Sequence, residues 1–108
     1  MDTYKVILSP QALAQLKDYH EYILYTLLNE QAAKSMWDDA MDTVRRISVV
    51  AGSLKLCDNP KLNELGYRMI RFKTHQYVML YRIEGYTAYV DAVYHQLQNY
   101  EVLFDGNI

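Results

Sequence analysis

Basic side chains are concentrated in one segment of the chain, between Gly66 and Arg82. This segment contains Arg68, Arg71, Lys73 and Arg82 and no acidic residue. Guanidinium and ammonium groups bind phosphate, and arginine also binds a carboxylate through two parallel hydrogen bonds. The four cations therefore predict a binding site for a negatively charged partner, either the phosphate backbone of RNA or an acidic protein.

Two residues nearer the C-terminus could transfer protons. Metal-free cleavage of RNA needs a base for the 2′-hydroxyl, a cation for the charged phosphorane and an acid for the leaving oxygen. His95 has a side chain that titrates near neutral pH in its unperturbed form, and Tyr100 carries a hydroxyl. Arg68, His95 and Tyr100 could form a catalytic site if the C-terminal tail folds back. The alternative is that His95 is a strand-end residue with a structural hydrogen bond.

Charge and cysteine content narrow the classes of function. The net charge is −2, whereas binding dominated by phosphate neutralisation favours a strongly basic protein. The single cysteine, Cys57, excludes an internal disulfide and a cysteine-based zinc site. Asp38, Asp39 and Asp42 fit a solvated helix face better than a metal site. We therefore expect no metal and no cofactor.

The expected location is the cytoplasm. One cysteine suits a reducing compartment. The first ten residues lack the long apolar segment of a signal peptide. No stretch approaches the roughly 18 apolar residues that a membrane helix needs, so no membrane contact is predicted.

The candidate residues must be positioned by a sheet, because most of them fall in alternating apolar segments. Strands are predicted at 4–8, 67–73, 76–83 and 87–94, where β-branched and aromatic residues are frequent. Ser9-Pro10 predicts the start of a first helix that extends to Leu27, and Asn29 predicts the cap of a second that extends to Ala51. Residues 53–65 are predicted to form a connector with a turn at Asn59-Pro60.

The order of elements predicts a two-layer α+β domain, β-α-α-β-β-β, over residues 1–108. The very short link between the helices predicts an antiparallel helical hairpin, packed on an antiparallel four-stranded sheet. The middle strands are apolar on both faces, so the helices can cover one face only. A partner chain is the predicted cover of the other face.

This ordered set of segments resembles the RelE/ParE toxin superfamily over nearly the whole chain. The matching segments are Tyr4 to Ala12, Gly66 to Arg68 with Tyr77 to Ile83, and Val93 to His95 with Tyr100 and Glu101. The resemblance implies a toxin of a type II toxin–antitoxin system, also called an addiction or plasmid stabilisation module. It further implies a cognate antitoxin as partner, usually in a hetero-oligomer.

The superfamily that the chain resembles has two branches with different activities. One branch cleaves messenger RNA at the ribosome without a metal, and the other is described as poisoning DNA gyrase. Arg68 matches a basic residue of the nuclease branch, and Tyr100 is the candidate for its C-terminal tyrosine. Ile70, Val78 and Gln96 stand where that branch has basic residues. The departures favour the gyrase-binding branch.

Three functions stay open at this stage. The first is a ParE-like toxin that inhibits growth by binding a target such as gyrase. The second is a RelE-like endoribonuclease that uses Arg68, His95 and Tyr100. The third is a non-toxic module that binds an antitoxin. In each case Arg68, Arg71, Lys73 and Arg82 are the predicted residues that contact the target or the antitoxin.

Overall fold

The computed structural model describes residues 3–100 and residue 104. Most of the C-terminal tail after Tyr100 lies outside the described residues. The elements in chain order are β1 (Lys5–Leu8), α1 (Pro10–Glu21), a π-helical turn (Tyr22–Thr26), α2 (Glu30–Val50), a 3-10 turn (Ala51–Ser53), α3 (Pro60–Glu64), β2 (Arg68–Arg71), β3 (Tyr77–Glu84) and β4 (Thr87–His95).

Both predicted helix starts are confirmed by capping side chains. The Ser9 hydroxyl accepts a hydrogen bond from the Ala12 amide at 3.1 Å, and the Asn29 side chain accepts one from the Ala32 amide at 3.0 Å. Each cap satisfies an amide that has no partner inside its helix. The α-helical part of the first helix ends earlier than predicted, at Glu21, and the chain continues in the π-helical turn.

The connector contains a short helix that the sequence analysis did not predict. Asn59 caps α3 by accepting from the Leu62 amide at 3.1 Å, and Pro60 occupies the first turn, where its missing N–H has no cost. The turn signal at Asn59-Pro60 is therefore a helix start. Its five residues are too few to show an apolar period, which explains why the sequence analysis missed it.

The sheet is mixed, which corrects the predicted antiparallel arrangement. Its order is β1-β4-β3-β2. β2 and β3 are antiparallel, as are β3 and β4, whereas β1 pairs with β4 in parallel, with Lys5 opposite Thr87 and Leu8 opposite Val90. The remaining fold prediction, a helical hairpin on one side of a four-stranded sheet, is confirmed.

The direction of β1 follows from the path of the helical hairpin. α1 continues beside β4, with the Tyr19 hydroxyl 3.3 Å from the His95 amide, and α2 returns the chain to the start of β1, where the Tyr4 amide donates to the Ser48 carbonyl at 2.7 Å. The chain therefore enters the sheet again from the same end, and β2 runs in the same direction as β1. The turns after β2 and β3 each reverse the chain, so β4 also runs in this direction. Since β2 and β4 already flank β3, β1 can join only at an edge, where its neighbour is parallel.

Two apolar cores lie on opposite faces of the sheet. The first lies between the sheet and the helical hairpin and includes Leu16, Met36 and Tyr81. The second lies on the other face, where the connector contributes Leu62 and Phe104 packs edge-on against a sheet-side tyrosine. The chain itself thus covers much of the face for which a partner chain was predicted. Within the described residues, no helix is long and apolar enough to span a bilayer.

Candidate functional site

Arg68 lies at the start of β2 and its side chain is directed to the helical side of the sheet. It pairs with Tyr81, whose hydroxyl donates to the Ala51 carbonyl at 2.9 Å beneath the hairpin. Burial raises the pKa of Tyr81 to about 12, with the nearby Arg68 charge opposing the rise. The Arg68 Nε is buried and has no hydrogen-bond partner among the described residues.

His95 ends β4 and is held by its own neighbours. Its ring lies edge-on to Tyr77, with 5.2 Å between ring centroids. The imidazole Nδ1 accepts a hydrogen bond from the Leu97 amide at 3.1 Å, and the His95 amide donates to the Gln98 side chain at 3.0 Å. These contacts are those of a strand-end residue that stabilises a turn.

Tyr100 lies over the opposite face of the sheet. Its ring stacks on Tyr94, with 6.4 Å between centroids and 24° between planes. It also lines a cavity of about 290 Å³ between the connector and β2. The other lining residues are Lys55, Leu56, Cys57, Asp58 and Met69.

The three candidate catalytic residues do not converge. Arg68 and His95 pair with Tyr81 and Tyr77 of β3, which are four residues apart, or roughly 13 Å at the usual strand rise. Tyr100 contacts the face of the sheet that is turned away from the hairpin. No single substrate atom could lie within hydrogen-bond reach of all three in this arrangement. Their catalytic role stays a prediction.

Arg71 and Lys73 are the exposed members of the basic segment. Arg71 ends β2 with its side chain exposed, while its carbonyl accepts a hydrogen bond from Arg46 at 3.0 Å. The Lys73 side chain is 64% exposed and lies 3.9 Å from a carboxylate oxygen of Asp42. Both side chains are available to a partner at the same edge of the sheet, and their binding role stays a prediction.

Arg82 is directed inward to a buried carboxylate. Its Nε donates to Asp91 at 2.8 Å, it also forms an ion pair with Glu84, and its guanidinium lies 4.7 Å from the Tyr89 ring centroid. Burial lowers the pKa of Arg82, but the hydrogen bonds to Glu84 and Asp91 raise it by a larger amount. The pKa therefore lies above its usual value, and Arg82 keeps its charge. An arginine held in this way offers few free donors to a partner.

The Asp91 carboxylate also accepts from a tyrosine. The Tyr67 hydroxyl donates to it at 2.7 Å, and both residues are almost completely buried. Burial and the adjacent Asp91 charge together raise the pKa of Tyr67. Three of the predicted strands are joined at this point by polar side chains.

Asp39 has a structural role that sequence reasoning missed. Its carboxylate is buried and accepts from the Thr74 amide at 3.0 Å, the His75 amide at 2.8 Å and the His75 Nδ1 at 2.8 Å. Burial, the largest influence, raises its pKa, but the hydrogen bonds from His75 and Thr74 outweigh it and hold the pKa below its usual value. The helical spacing placed Asp39 on a solvated face, and no local signal links it to a turn 35 residues away.

A search for metal-binding clusters is negative over the described part of the chain. No group of three or more His, Cys, Asp or Glu side chains there could hold an ion. The arrangement thus provides exposed cations at one sheet edge, a buried ion pair and a capped turn.

The fold of the chain is shared with a protein of known structure. It matches a solved structure described as a chromosomal ParDE toxin–antitoxin system from P. aeruginosa, with a TM-score of 0.71. The match covers 86% of this chain and 96% of the other chain at 15% sequence identity, so it shows a shared fold. No curated protein sequence matches the chain.

The sequence identifies the family. Residues 6–100 match the family described as the ParE toxin of the type II toxin–antitoxin system parDE. The chain therefore belongs to the ParE toxin family, which confirms the resemblance noted in the sequence. Membership makes it the toxin component of a type II system, with an antitoxin as its partner.

Proposed function

We propose that the chain arrests bacterial growth in the cytoplasm by binding DNA gyrase, without nuclease chemistry of its own, and that a cognate antitoxin neutralises it. Membership of the ParE family supports the gyrase-directed branch. The separation of Arg68, His95 and Tyr100 is the observation that favours binding over RNA cleavage. General acid–base catalysis requires its groups within hydrogen-bond reach of the reacting atoms.

The exposed cations support the antitoxin part of the proposal. Arg71 and Lys73 lie together at the edge of the sheet formed by β2, and Lys73 has only a distant carboxylate partner. An acidic segment of an antitoxin would pair with both, and arginine binds carboxylates with defined geometry. The expected product is a hetero-oligomer of toxin and antitoxin.

The target is tested with purified proteins. Increasing amounts of the chain are added to a gyrase supercoiling assay, with heat-denatured chain as the control. We expect supercoiling to fall as the native protein is added. Unimpaired supercoiling at saturating protein would exclude gyrase as the target.

The nuclease function is tested in the same cells that report growth arrest. Primer extension on messenger RNA after induction should show no new cleavage ends while growth stops. New ends that disappear in Arg68→Ala or His95→Ala would instead establish a ribonuclease. Normal growth during overexpression would indicate a module that binds the antitoxin without being toxic.

The antitoxin surface is tested by charge reversal. We expect Arg71→Glu combined with Lys73→Glu to weaken binding to the product of the adjacent antitoxin gene by tenfold or more, roughly the effect of losing one or two charged contacts. The matched control reverses two exposed lysines elsewhere in the chain, Lys34→Glu with Lys55→Glu, each of which is 79% exposed. Equal binding by both double variants would place the antitoxin on another surface.

A further inference from the structure

The tip of the helical hairpin, residues 22–28, exposes several large apolar side chains to solvent. Tyr25 is 70% exposed and Leu28 is 82% exposed, and Tyr22 and Leu27 are also more than half exposed. Single exposed apolar side chains are common, but a contiguous group on a soluble domain marks an interaction surface. The four side chains fall within seven residues of the hairpin tip, and Tyr25 and Leu28 line the same depression, so they form such a group.

The backbone of the hairpin tip is also unusual. Residues Tyr22–Thr26 form a π-helical turn, with the Leu27 amide donating to the Tyr22 carbonyl at 3.1 Å. Leu28 follows with a φ of 52°, and it is the one non-glycine residue with a positive φ among those described. A left-handed leucine costs roughly 1–2 kcal/mol, and π-helical turns occur frequently at functional sites. The energetic cost at an exposed position points to a role outside folding.

The shape of the tip suits a single apolar side chain. A depression of about 450 Å³ lies between the end of the first helix and the start of the second. It is lined by Leu24, Tyr25, Leu28 and Glu30. An apolar side chain placed there would contact an aromatic ring and two leucines, with a carboxylate at the rim. Buried apolar anchors with polar rims are the arrangement that contributes most to protein binding.

The negative charge near the hairpin tip indicates which kind of partner would bind there. Residues 18–33 contain Asp18, Glu21 and Glu30 and no lysine or arginine. Glu30 is exposed and lines the depression, and Glu21, directly before the tip, is exposed and shares a second depression with Lys17. A basic partner is attracted by these carboxylates, whereas a second copy of this chain would bring the same acidic residues against its own. Like charges across an interface are unfavourable.

We propose that the hairpin tip docks a short segment of another protein in which one or two apolar side chains are flanked by lysine or arginine. The apolar side chain fills the depression between Tyr25 and Leu28, and the basic residues pair with Glu21 and Glu30. This surface lies on the helical layer and is separate from the arginine and lysine at the β2 edge. The inference does not depend on which cellular machine is the target.

The test uses the purified full-length chain and a fluorescein-labelled peptide with two leucines flanked by lysines and arginines. We expect saturable binding by fluorescence anisotropy, and no binding of the same peptide with glutamate in place of every basic residue. Tyr25→Ser combined with Leu28→Ser should weaken binding by about tenfold or more, as expected for removal of central anchors. Circular dichroism confirms that the variant is folded.

Two controls separate the tip from general apolar or charged surface. Tyr86→Ser combined with Leu97→Ser removes two side chains of similar exposure far along the chain and should leave binding unchanged. Glu21→Gln combined with Glu30→Gln should weaken binding and reduce its dependence on salt. Equal binding of the basic and acidic peptides, or equal loss in both serine double variants, would overturn the proposal. Concentration-dependent dimers that the tip variant abolishes would assign the surface to a second copy instead.

Discussion

At the residue scale, the buried carboxylate of Asp91 links β4 to β3 and to the residue before β2 through polar side chains. It is 1% exposed and accepts hydrogen bonds from the Tyr67 hydroxyl and the Arg82 Nε. A buried carboxylate is tolerated only when charged and hydrogen-bonding partners replace the water it has lost. Removing its charge would leave the partly buried guanidinium of Arg82 with only the exposed carboxylate of Glu84 as its ion-pair partner.

We expect Asp91→Asn to lower the free energy of unfolding by about 2 kcal/mol. This is less than the roughly 3–5 kcal/mol reported for fully buried pairs, because the Arg82 side chain keeps 28% of its surface in water. Urea denaturation at neutral pH measures the change. The control Asp58→Asn removes a carboxylate that is 86% exposed and should change stability by less than about 0.5 kcal/mol. Equal losses in the two variants would contradict the assigned role of Asp91.

The carboxylate of Asp39 makes the free energy of unfolding depend on pH in the acidic range. Its pKa is lower in the folded protein than in the unfolded chain, so it stabilises the fold fully above the unfolded value of about 3.9. The contribution is lost as the pH falls through the lower folded pKa. Asp39→Asn should therefore be less stable than the natural protein at neutral pH, and the difference should shrink below about pH 4.

Thermal unfolding measured from pH 7 down to acid tests the Asp39 prediction. Asp38→Asn is the matched control, because it changes the same charge on the adjacent residue but leaves the Asp39 hydrogen bonds intact. This control should retain the acid-induced loss of stability. A difference between Asp39→Asn and the natural protein that stays constant with pH would show that the carboxylate charge is not what stabilises the turn.

At the element scale, the helical hairpin combines two well-capped helix starts with an unfavourable link. Ser9 and Asn29 each satisfy one amide in the first turn of their helix, whereas the link contains the π-helical turn and the left-handed Leu28. Glycine is the residue that adopts this conformation without a steric penalty. The hairpin would therefore be more stable with a different residue at position 28.

We expect Leu28→Gly to raise the free energy of unfolding by about 0.5 kcal/mol. The relief of roughly 1–2 kcal/mol of left-handed strain exceeds the roughly 0.4–1 kcal/mol of added freedom in the unfolded chain. The same variant should lose affinity for the basic peptide, which is the usual conflict between stability and function. Denaturation of Leu28→Gly beside Leu97→Gly, where φ is not positive, measures the gain, and a loss in both variants would contradict the strain assignment.

At the scale of the whole molecule, one sheet lies between two apolar cores and contributes side chains to both. Met79 and Tyr81 of β3 contribute to the core under the helical hairpin, while Val78 and Leu80 contribute to the core under the connector. Because adjacent residues of one strand serve both cores, loss of either core should unfold the same sheet. We therefore expect one cooperative transition for the domain.

Leu62→Ala and Met36→Ala should each lower the free energy of unfolding by about 3 kcal/mol, because each removes a fully buried side chain and leaves a cavity. In both variants the fluorescence of Trp37, beside the first core, and the far-ultraviolet circular dichroism should report the same midpoint. Leu65→Ala, which is 46% exposed in the natural protein, should cost less than about 1 kcal/mol. A Leu62→Ala transition by circular dichroism that leaves the Trp37 transition in place would show two independent units.

Features of the fold that depend only on neighbouring residues were predictable from the sequence. The caps at Ser9 and Asn29 and the alternating strands depend on neighbouring residues, so the two long helices and all four strands were predicted. The parallel placement of β1 depends on where the hairpin returns the chain, so the antiparallel sheet predicted from the sequence is wrong on this point. The basic segment was visible in the sequence, but the inward direction of Arg82 depends on Asp91 in the next strand.

The sequence by itself determined the family, the order of the elements and the side chains available for chemistry. Tertiary structure alone decided which of these side chains meet. Strand pairing directed Arg68 to the helical face, packing of the tail placed Tyr100 on the other face, and packing of the helical hairpin brought Asp39 to the His75 turn. These contacts span tens of residues, and only the packed sheet and hairpin bring such distant groups within hydrogen-bond range.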